Sequence, residues 1–367
     1  MKHLMSGNEA IARGAYEAGI TVAAAYPGTP STEVVSSLAD YAGVYAEWAP
    51  NEKVALEVAM GASFGGARSL AAMKHVGVNV AADPLFTFAY TGVNGGCVVV
   101  SADDPGMHSS QNEQDNRGYG IFAKLPVVEP SDSQEAKDFT RLAFDISERF
   151  DTPVLLRVTT RLCHSQSMVE LGEVLPQPLK EYRKNSQKYV MLPVHARPRH
   201  VEVEKRMAQL KEYAEQTELN RIEWGERSLG VITSGIVYQY LKEVMPEASV
   251  LKLGLTNPLP EKMIRDFASQ VERLVVLEEL EPVIENQVKA WGIAVEGKEI
   301  FGNIGEYSPE LIETRLLNPA RPPAPALQRE IPPRPPLLCP GCPHRGVFNT
   351  LRTMRVAVIG DIGCYTL

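Results

Sequence analysis

The sequence predicts an α/β protein whose strands form mostly parallel sheets covered by helices. Short apolar runs alternate with helical stretches from residue 7 to about 165, and the same alternation returns from Leu229 onward. Strands that alternate with helices favour right-handed βαβ crossovers, which place helices on both faces of a parallel sheet. The length of 367 residues is enough for two or three such domains.

Composition narrows the class of protein further. The chain carries 45 acidic and 37 basic side chains, and its net charge of −8 argues against a non-specific nucleic-acid binder. The sequence lacks an apolar run of about 18 residues, so it predicts no membrane-spanning helix. Residues 1–8 lead directly into a helix cap without an apolar signal core. These features predict a cytoplasmic protein whose partners include neither nucleic acid nor a membrane.

The first predicted domain spans residues 1–190. A helix that Ser6 or Asn8 caps is expected to run to about Glu17, and a second helix is expected over 52–64. The predicted strands of this domain are 20–25, 70–73, 96–101, 125–128 and 154–158.

The remaining chain is predicted to form a connector, a second α/β domain, a linker and the opening of a third domain. The charge-rich stretch from Glu204 to Asn220 has a helical pattern and predicts a helical connector over 191–228. Eight of the eighteen residues from Pro319 to Pro336 are proline, which favours an extended spacer. The boundaries expected after the connector are 229–317 for the second domain, 318–336 for the linker and 337–367 for an incomplete third domain.

A proline-flanked turn, YPGTPST, follows the first predicted strand. Ligands of open α/β sheets bind at the carboxyl ends of strands, where Thr29, Ser31 and Thr32 would offer hydroxyl groups. The same residues are also compatible with a plain helix entry in which Ser31 is the N-cap.

A glutamate opens the helix predicted over 52–64. The positions that follow Glu52 are mostly small, with Gly61 nine residues on, and small residues allow close approach of another helix or a flat ligand. The simpler interpretation is that Glu52 complements the helix dipole in the first turn.

The five cysteines fit free thiols or a metal site better than a disulfide framework. Cys97 and Cys163 adjoin apolar strands and are expected to be buried core thiols. Cys339 and Cys342 form a CxxC, and Cys364 follows near the end of the sequence. Three clustered cysteines are too few for a structural zinc site, which takes four ligands.

Four motifs occur in this order: YPGTPST, the Glu52-to-Gly61 spacing, the stretch 103–117, and CPGCPHR followed by GDIGCYTL. Together they resemble the 2-oxoacid:ferredoxin oxidoreductase family, and the whole chain resembles the α subunits of its indolepyruvate-oxidising members. The resemblance implies a pyrimidine-type, thiamine diphosphate-binding parallel-sheet domain, then a transketolase C-terminal-like α/β domain and the start of a third domain. It also implies that the chain is truncated at its carboxyl end.

The resemblance implies that Glu52 binds the aminopyrimidine ring of the cofactor. Its carboxylate would stabilise the imino tautomer that lets the cofactor lose its C2 proton, which requires a dry environment. Glu57, more than a turn away, is the weaker candidate. Pro27, Gly28 and Gly61 would contact the cofactor. Thr29 would hydrogen-bond the substrate.

The polar stretch 103–117 is interpreted as a substrate-facing loop or, equally, as a solvated surface loop. In the first case His108 lies near the reacting atoms of the substrate, and Arg117 binds the substrate carboxylate through two parallel hydrogen bonds. Arg157 and Arg161 flank the end of the last strand, and either could clamp the carboxylate or pair with a protein acid. We select Arg117 and Arg161 as the predicted substrate-binding arginines.

The expected reaction is oxidative decarboxylation of indolepyruvate to an acyl-CoA, with electrons passed to ferredoxin. Cys339, Cys342 and Cys364 would ligate a [4Fe-4S] cluster with a fourth cysteine downstream. The diphosphate and Mg²⁺ signature is not GDIGCYTL and would also lie downstream. Expected partners are coenzyme A, ferredoxin and a β subunit, with two α subunits in a heterotetramer.

Two other functions stay open. A non-oxidative thiamine diphosphate decarboxylase or carboligase would not need the cysteine motifs. A non-catalytic fragment would fold without binding cofactor.

Overall fold

The computed structural model describes residues 2–175, 177–317, 332 and 337–360. Its alternation of strands and helices confirms the predicted α/β class. The strands are β1 (Lys2–Ser6), β2 (Val22–Ala25), β3 (Tyr45–Trp48), β4 (Ser69–Lys74), β5 (Cys97–Asp103), β6 (Val127–Val128), β7 (Val154–Thr159), β8 (Gln166–Glu170), β9 (Arg221–Glu223), β10 (Glu226–Ser234), β11 (Ala248–Leu253), β12 (Leu255–Asn257) and β13 (Arg273–Leu277). The helices are α1 (Gly7–Glu17), α2 (Thr32–Ala39), α3 (Glu52–Phe64), α4 (His75–Val80), α5 (Ala82–Thr91), α6 (Arg117–Ala123), α7 (Ser133–Phe150), α8 (Thr160–His164), α9 (Ser186–Tyr189), α10 (Pro193–Ala214), α11 (Val237–Val244), α12 (Glu261–Ala268), α13 (Val283–Ala290), α14 (Lys298–Phe301), α15 (Pro309–Ile312) and α16 (His344–Met354), and Glu313–Leu317 forms a π-helical turn.

The larger sheet collects several predicted site loops at one edge. In the described part of the chain its strands follow the order β12-β6-β7-β5-β4-β2-β3, and only β12 runs antiparallel to its neighbour. The chain passes from β2 outward to β3 and then returns to β4 on the other side of β2. The strand order therefore reverses between β2 and β4, and ligands of open α/β sheets bind outside the carboxyl ends at such a reversal.

Local capping explains where the helices that flank this edge begin. Ser6 and Glu9 form a capping box at the start of α1, which confirms the predicted cap at Ser6. The Asn51 side chain accepts a hydrogen bond of 3.0 Å from the Val54 amide and thereby starts α3 at Glu52. The helix predicted over 52–64 is confirmed at both ends.

The smaller sheet shares its core with the larger one. Its order among the described residues is β13-β10-β11-β9, with β9 antiparallel and the other pairs parallel. One apolar cluster contains Val98 and Val100 of β5 together with Val231 of β10 and Val250 of β11. Residues 1–319 accordingly form one compact unit.

The helix of the predicted connector differs from expectation. It was predicted over 204–220, whereas α10 begins at Pro193 and ends at Ala214. Pro193 occupies the first helical turn, where its missing N–H costs nothing, and Pro198 is accommodated inside the helix. Arg206 donates a 3.0 Å hydrogen bond to the Ala89 carbonyl, so α10 packs on the helix α5 of the larger sheet.

The second unit is residues 320–367, of which 332 and 337–360 are described. A turn at Cys339–Cys342 is followed by α16. Across all the residues that the structure describes, none of the helices is both long and apolar enough to cross a membrane.

A buried carboxyl group predicts how stability depends on pH. Glu279 follows β13, is 4% exposed, and accepts a 2.9 Å hydrogen bond from the Tyr307 amide. Burial raises the pKa of Glu279 from 4.5 to about 7. The folded state therefore binds this proton more tightly than the unfolded chain. The stability that protonated Glu279 contributes below about pH 4.5 is lost as the pH rises through about 7.

Glutamine keeps the hydrogen bond and cannot ionise. As the pH is raised from 4.5 to 8, we therefore expect the free energy of unfolding of the Glu279→Gln variant to rise by roughly 3 kcal/mol relative to that of the unsubstituted protein. Urea unfolding at a series of pH values measures this difference. Glu281→Gln, which removes an exposed carboxyl two residues away, is the control for loss of one charge. A constant difference between the Glu279→Gln variant and the parent across this range would contradict the assignment.

Candidate functional site

The turn after β2 carries hydroxyl groups, two of which are bonded to Gly28. Ser31 Oγ donates to the Gly28 carbonyl at 3.1 Å, and Thr32 Oγ1 accepts from the Gly28 amide at 3.1 Å. Ser31 precedes α2 but makes no side-chain cap bond, so the plain helix-entry interpretation is incomplete. Thr29 is exposed, and its hydroxyl has no hydrogen-bond partner among the residues described here. This hydroxyl is available to a ligand.

Glu52 lies at the end of the buried stripe of α3. Ala55, Leu56 and Ala59 of the same stripe are fully buried, and Glu52 precedes them by three, four and seven residues. The helix therefore turns this carboxylate toward the protein rather than outward. A Cβ atom at Gly77 would lie 2.6 Å from the Glu52 carboxylate oxygen Oε1, so the carboxylate packs directly against this glycine.

The Glu52 carboxylate is also unpartnered. It is partly buried, and within the described ranges it makes neither a hydrogen bond nor an ion pair. Glu57, the weaker candidate, is exposed on another face of α3. The Glu52 carboxylate is therefore available to a ligand.

Lys74 is a site residue that sequence reasoning missed. It ends β4, beside the reversal in strand order, and a Cβ atom at Gly28 would lie 3.2 Å from its Cδ atom. Its ammonium group donates a 2.9 Å hydrogen bond to the Ser109 carbonyl. Ser109 Oγ in turn lies 3.5 Å from the Thr29 carbonyl oxygen. The available signal was its position directly after the buried run 70–73.

The loop 104–116 is tied down on the same edge. Asp104 accepts hydrogen bonds from the Ser109 amide at 2.9 Å and from the Ser110 and Thr160 hydroxyls at 2.7 Å. Burial opposes ionisation, but these donors hold the pKa of Asp104 below its ordinary value. His75 Nε2 lies 3.0 Å from Asn112 Oδ1. The loop is therefore ordered against β2 and β4, unlike a freely solvated loop.

Arg117 does not face a substrate, which corrects the prediction made for it. Its side chain is 1% exposed and pairs with Asp115 at 2.5 Å and with Glu278 at 2.6 Å. The carbonyls of Glu279 and Glu281 accept two further hydrogen bonds. Arg117 does bind carboxylates, as predicted, but these carboxylates belong to Asp115 and Glu278 of the protein.

The other arginines are paired as well. Arg157 is buried against Asp103 and Glu129 at 2.8 and 2.9 Å. Arg161 donates two hydrogen bonds to the Glu306 carboxylate. An oxygen of the same carboxylate lies 3.1 Å from Nε2 of His108. The predicted residues Arg161 and His108 therefore meet each other through Glu306.

A surface cavity of about 280 Å³ lies beside this second pair. Its lining consists of His108, Thr160, Arg161, His164 and Ser165. Both His108 and Arg161 are exposed, so their predicted roles remain open to a partner or ligand that reaches this surface.

The predicted cofactor-contacting residues separate into two groups. Pro27 and Gly28 lie in the turn beside Thr29 and Lys74. Gly61 is nine residues after Glu52, which places it roughly 13.5 Å along α3 and on its opposite face. A Cβ atom at Gly61 would meet nothing within 4 Å. Gly61 is thus not brought to the Glu52 carboxylate within the described chain.

The cysteine pair forms a tight turn. The Cys342 amide donates to the Cys339 carbonyl at 3.0 Å, and Gly341 has a φ of +80°, as the third residue of a type II turn requires. Cys339 is exposed and Cys342 partly so, whereas Cys97 and Cys163 are buried as predicted. Cys364 lies outside the described residues. The described ranges contain no group of three residues suited to hold a metal ion.

Comparison with known proteins identifies relatives of this chain. Residues 13–224 match the family model described as pyruvate flavodoxin/ferredoxin oxidoreductase, thiamine diphosphate-binding. A similar protein from Archaeoglobus fulgidus, named indolepyruvate oxidoreductase subunit IorA, is 45% identical over 100% of the chain. The chain spans 64% of the length of that relative.

Two solved structures share the fold. A 2-oxoglutarate:ferredoxin oxidoreductase from Magnetococcus marinus, with 2-oxoglutarate, coenzyme A and succinyl-CoA bound, aligns with a TM-score of 0.71 at 17% identity and covers 86% of this chain and 64% of that chain. A split-gene transketolase, an inactive beta4 tetramer, aligns at 0.54 and 13% identity over 84% of this chain and 91% of that chain. Both support the α/β architecture predicted from the sequence.

The pairing of Arg117 generates a prediction about stability. Arg117→Met leaves Asp115 and Glu278 buried without their cation, so we expect the free energy of unfolding to fall by about 3–5 kcal/mol. Urea unfolding measures the loss. Arg161→Met, which breaks the exposed pair with Glu306, is the control and should cost under about 1 kcal/mol. Equal losses in the two variants would show that Arg117 is not the structural residue inferred here.

Proposed function

The chain belongs to the pyruvate flavodoxin/ferredoxin oxidoreductase family of thiamine diphosphate-binding proteins, and we propose that it supplies the pyrimidine half of a thiamine diphosphate site. The enzyme would oxidatively decarboxylate an aryl 2-oxo acid, with indolepyruvate as the substrate. The name of the Archaeoglobus relative supports this substrate. The observation that carries the proposal is the Glu52 carboxylate, which is turned inward against Gly77 and left without a protein partner among the described residues.

The residues present fit an aminopyrimidine ring. Gly28 and Gly77 allow Lys74 and Glu52 to pack closely at this edge of the sheet. Glu52 offers an acceptor that no described donor satisfies, and Thr29 offers a free hydroxyl on the neighbouring strand end. When bound, thiamine diphosphate supplies a nucleophilic carbon that adds to the 2-oxo group and accepts the electrons released by decarboxylation.

Each residue then has a defined task. Glu52 holds a proton at the ring nitrogen opposite the amino group, which favours the tautomer able to take up a proton. Thr29 donates a hydrogen bond to the substrate. The loop 104–116, fixed through Asp104, borders this edge of the sheet and holds the Lys74 ammonium group through the Ser109 carbonyl.

The fuller assembly is also part of the proposal. Coenzyme A would accept the acyl group and ferredoxin the electrons. A partner β subunit and a second copy of this chain would complete a cytoplasmic heterotetramer. The domain limits 1–190, 191–228, 229–317, 318–336 and 337–367 remain our proposal for its division. The diphosphate and Mg²⁺ would be held by residues other than those described for this chain.

The turn at Cys339 and Cys342 favours the oxidative reaction over a non-oxidative decarboxylase or carboligase. Two thiols held on one turn fit two ligands of a [4Fe-4S] cluster, with Cys364 as a third. A non-oxidative enzyme releases its product without passing electrons onward and has no use for such a cluster.

The central test is Glu52→Gln in the enzyme assembled with its partner subunit. Glutamine cannot give up and retake a proton, so we expect turnover of indolepyruvate to fall by at least about 100-fold with an unchanged melting temperature. Glu57→Gln, five residues further along the same helix, is the matched control and should retain activity. Near-normal oxidation by the Glu52→Gln variant would overturn the proposal.

The cluster proposal has its own measurement. Cys342→Ser in the anaerobically purified assembly should lose roughly four iron atoms per chain, because one cluster ligand is removed. Cys163→Ala, which removes a buried core thiol, should keep the full iron content. If both variants retain the same iron and visible absorption, these cysteines do not ligate a cluster.

A further inference from the structure

The candidate site needs a cation if its substrate carries a carboxylate, and the predicted arginines do not supply one freely. Arg117 and Arg157 are buried in ion pairs with protein acids, and Arg161 is engaged by Glu306. Lys53, beside Glu52, pairs with Asp83 at 3.0 Å. These charges are compensated before any substrate arrives.

Lys74 differs from these cations. Within the described ranges its ammonium group has no carboxylate within ion-pair distance, and its one hydrogen bond goes to a neutral carbonyl, that of Ser109. An ammonium group has three N–H donors, so two remain for a ligand. A carboxylate has two oxygens to receive them.

The surroundings of Lys74 make this lack of a counter-ion costly. The side chain is partly buried at the carboxyl end of β4, between the Gly28 turn and the loop that carries Ser109. Burial lowers the pKa of Lys74, although Asp104 and Glu52 act in the opposite direction from beyond ion-pair distance. A charge removed from water without a direct partner is unfavourable, and an anionic ligand would relieve the cost.

The acids near Lys74 are already engaged or assigned. Asp104 is satisfied by three donors, from Ser109, Ser110 and Thr160. Glu52 is proposed to share its proton with the cofactor ring. Neither is therefore positioned to neutralise Lys74 directly.

We propose that Lys74 binds the carboxylate of the 2-oxo acid substrate, a role that rests on the proposed function. The ammonium group lies beside the Thr29 turn, so one substrate can reach both residues: the carboxylate at Lys74 and the oxo group near Thr29. The hydrogen bond to Ser109 holds the ammonium in place and also couples substrate binding to the loop.

The test compares Lys74→Met with Lys74→Arg and Lys53→Met in the enzyme assembled with its partner subunit. Methionine keeps much of the length of the side chain and removes its charge. We expect the KM for indolepyruvate to rise by about 10- to 100-fold in the Lys74→Met variant, since a hydrogen-bonded ion pair is lost. Arginine should restore most of this loss, and the Lys53→Met variant should match the parent.

A second readout separates charge recognition from a structural tether. Indole-3-lactate, which carries the carboxylate, and its uncharged amide are used as competitive inhibitors. The inhibition constant for the acid should rise by about 10- to 100-fold in the Lys74→Met variant, while that for the amide stays unchanged. Loss of a loop tether alone would weaken both inhibitors alike.

The outcomes distinguish the two proposals. If the unsubstituted assembly does not oxidise indolepyruvate, the proposed function fails. If it does, and the Lys74→Met variant has an unchanged KM and an unchanged acid-to-amide ratio, only the role of Lys74 is overturned. A parallel weakening of acid and amide would likewise reject carboxylate binding and leave Lys74 as a support for the loop.

Discussion

The structure depends on a buried ionic network that joins the seven-stranded sheet to the four-stranded sheet. Arg157 pairs with Glu129 within the larger sheet, and Arg117 reaches across to Glu278 at the end of the smaller one. Burial opposes the ionisation of Asp115, yet the adjacent Arg117 holds the pKa of Asp115 at about 2. Removing one member of such a network leaves an unpaired buried charge, which costs far more than the loss of a surface pair. The network therefore fixes where the loop 104–116 ends.

That constraint brings the candidate site together. With its far end held at Arg117 and its near end at Asp104, the loop lies against the carboxyl ends of β2 and β4, where the strand order reverses. The Thr29 turn and Lys74 meet at this reversal, and Glu52 begins the helix α3. The two glycines let these side chains pack closely, because Lys74 lies against Gly28 and Glu52 against Gly77.

Local pattern was sufficient to predict the fold class and several elements, including both ends of α3, because apolar periodicity and caps are encoded in neighbouring residues. It was not sufficient to predict which partner a polar side chain takes. Arg117 finds Glu278, 161 residues away, and nothing local distinguishes that carboxylate from a substrate's. Lys74 was overlooked for the converse reason, since its lack of an ion-pair partner among the described residues becomes visible only in three dimensions. The start of α10 was misplaced because the helical pattern was recognised only from Glu204 onward, whereas the helix begins at Pro193.

The central claim is that Glu52 receives the aminopyrimidine ring of thiamine diphosphate at the edge where β2 and β4 end. An experimental structure of the assembled enzyme with thiamine diphosphate bound tests this most directly. We expect a Glu52 carboxylate oxygen within hydrogen-bond distance, about 2.6–3.2 Å, of the ring nitrogen opposite the amino group. A ring bound elsewhere, with Glu52 facing solvent or another protein group, would contradict it.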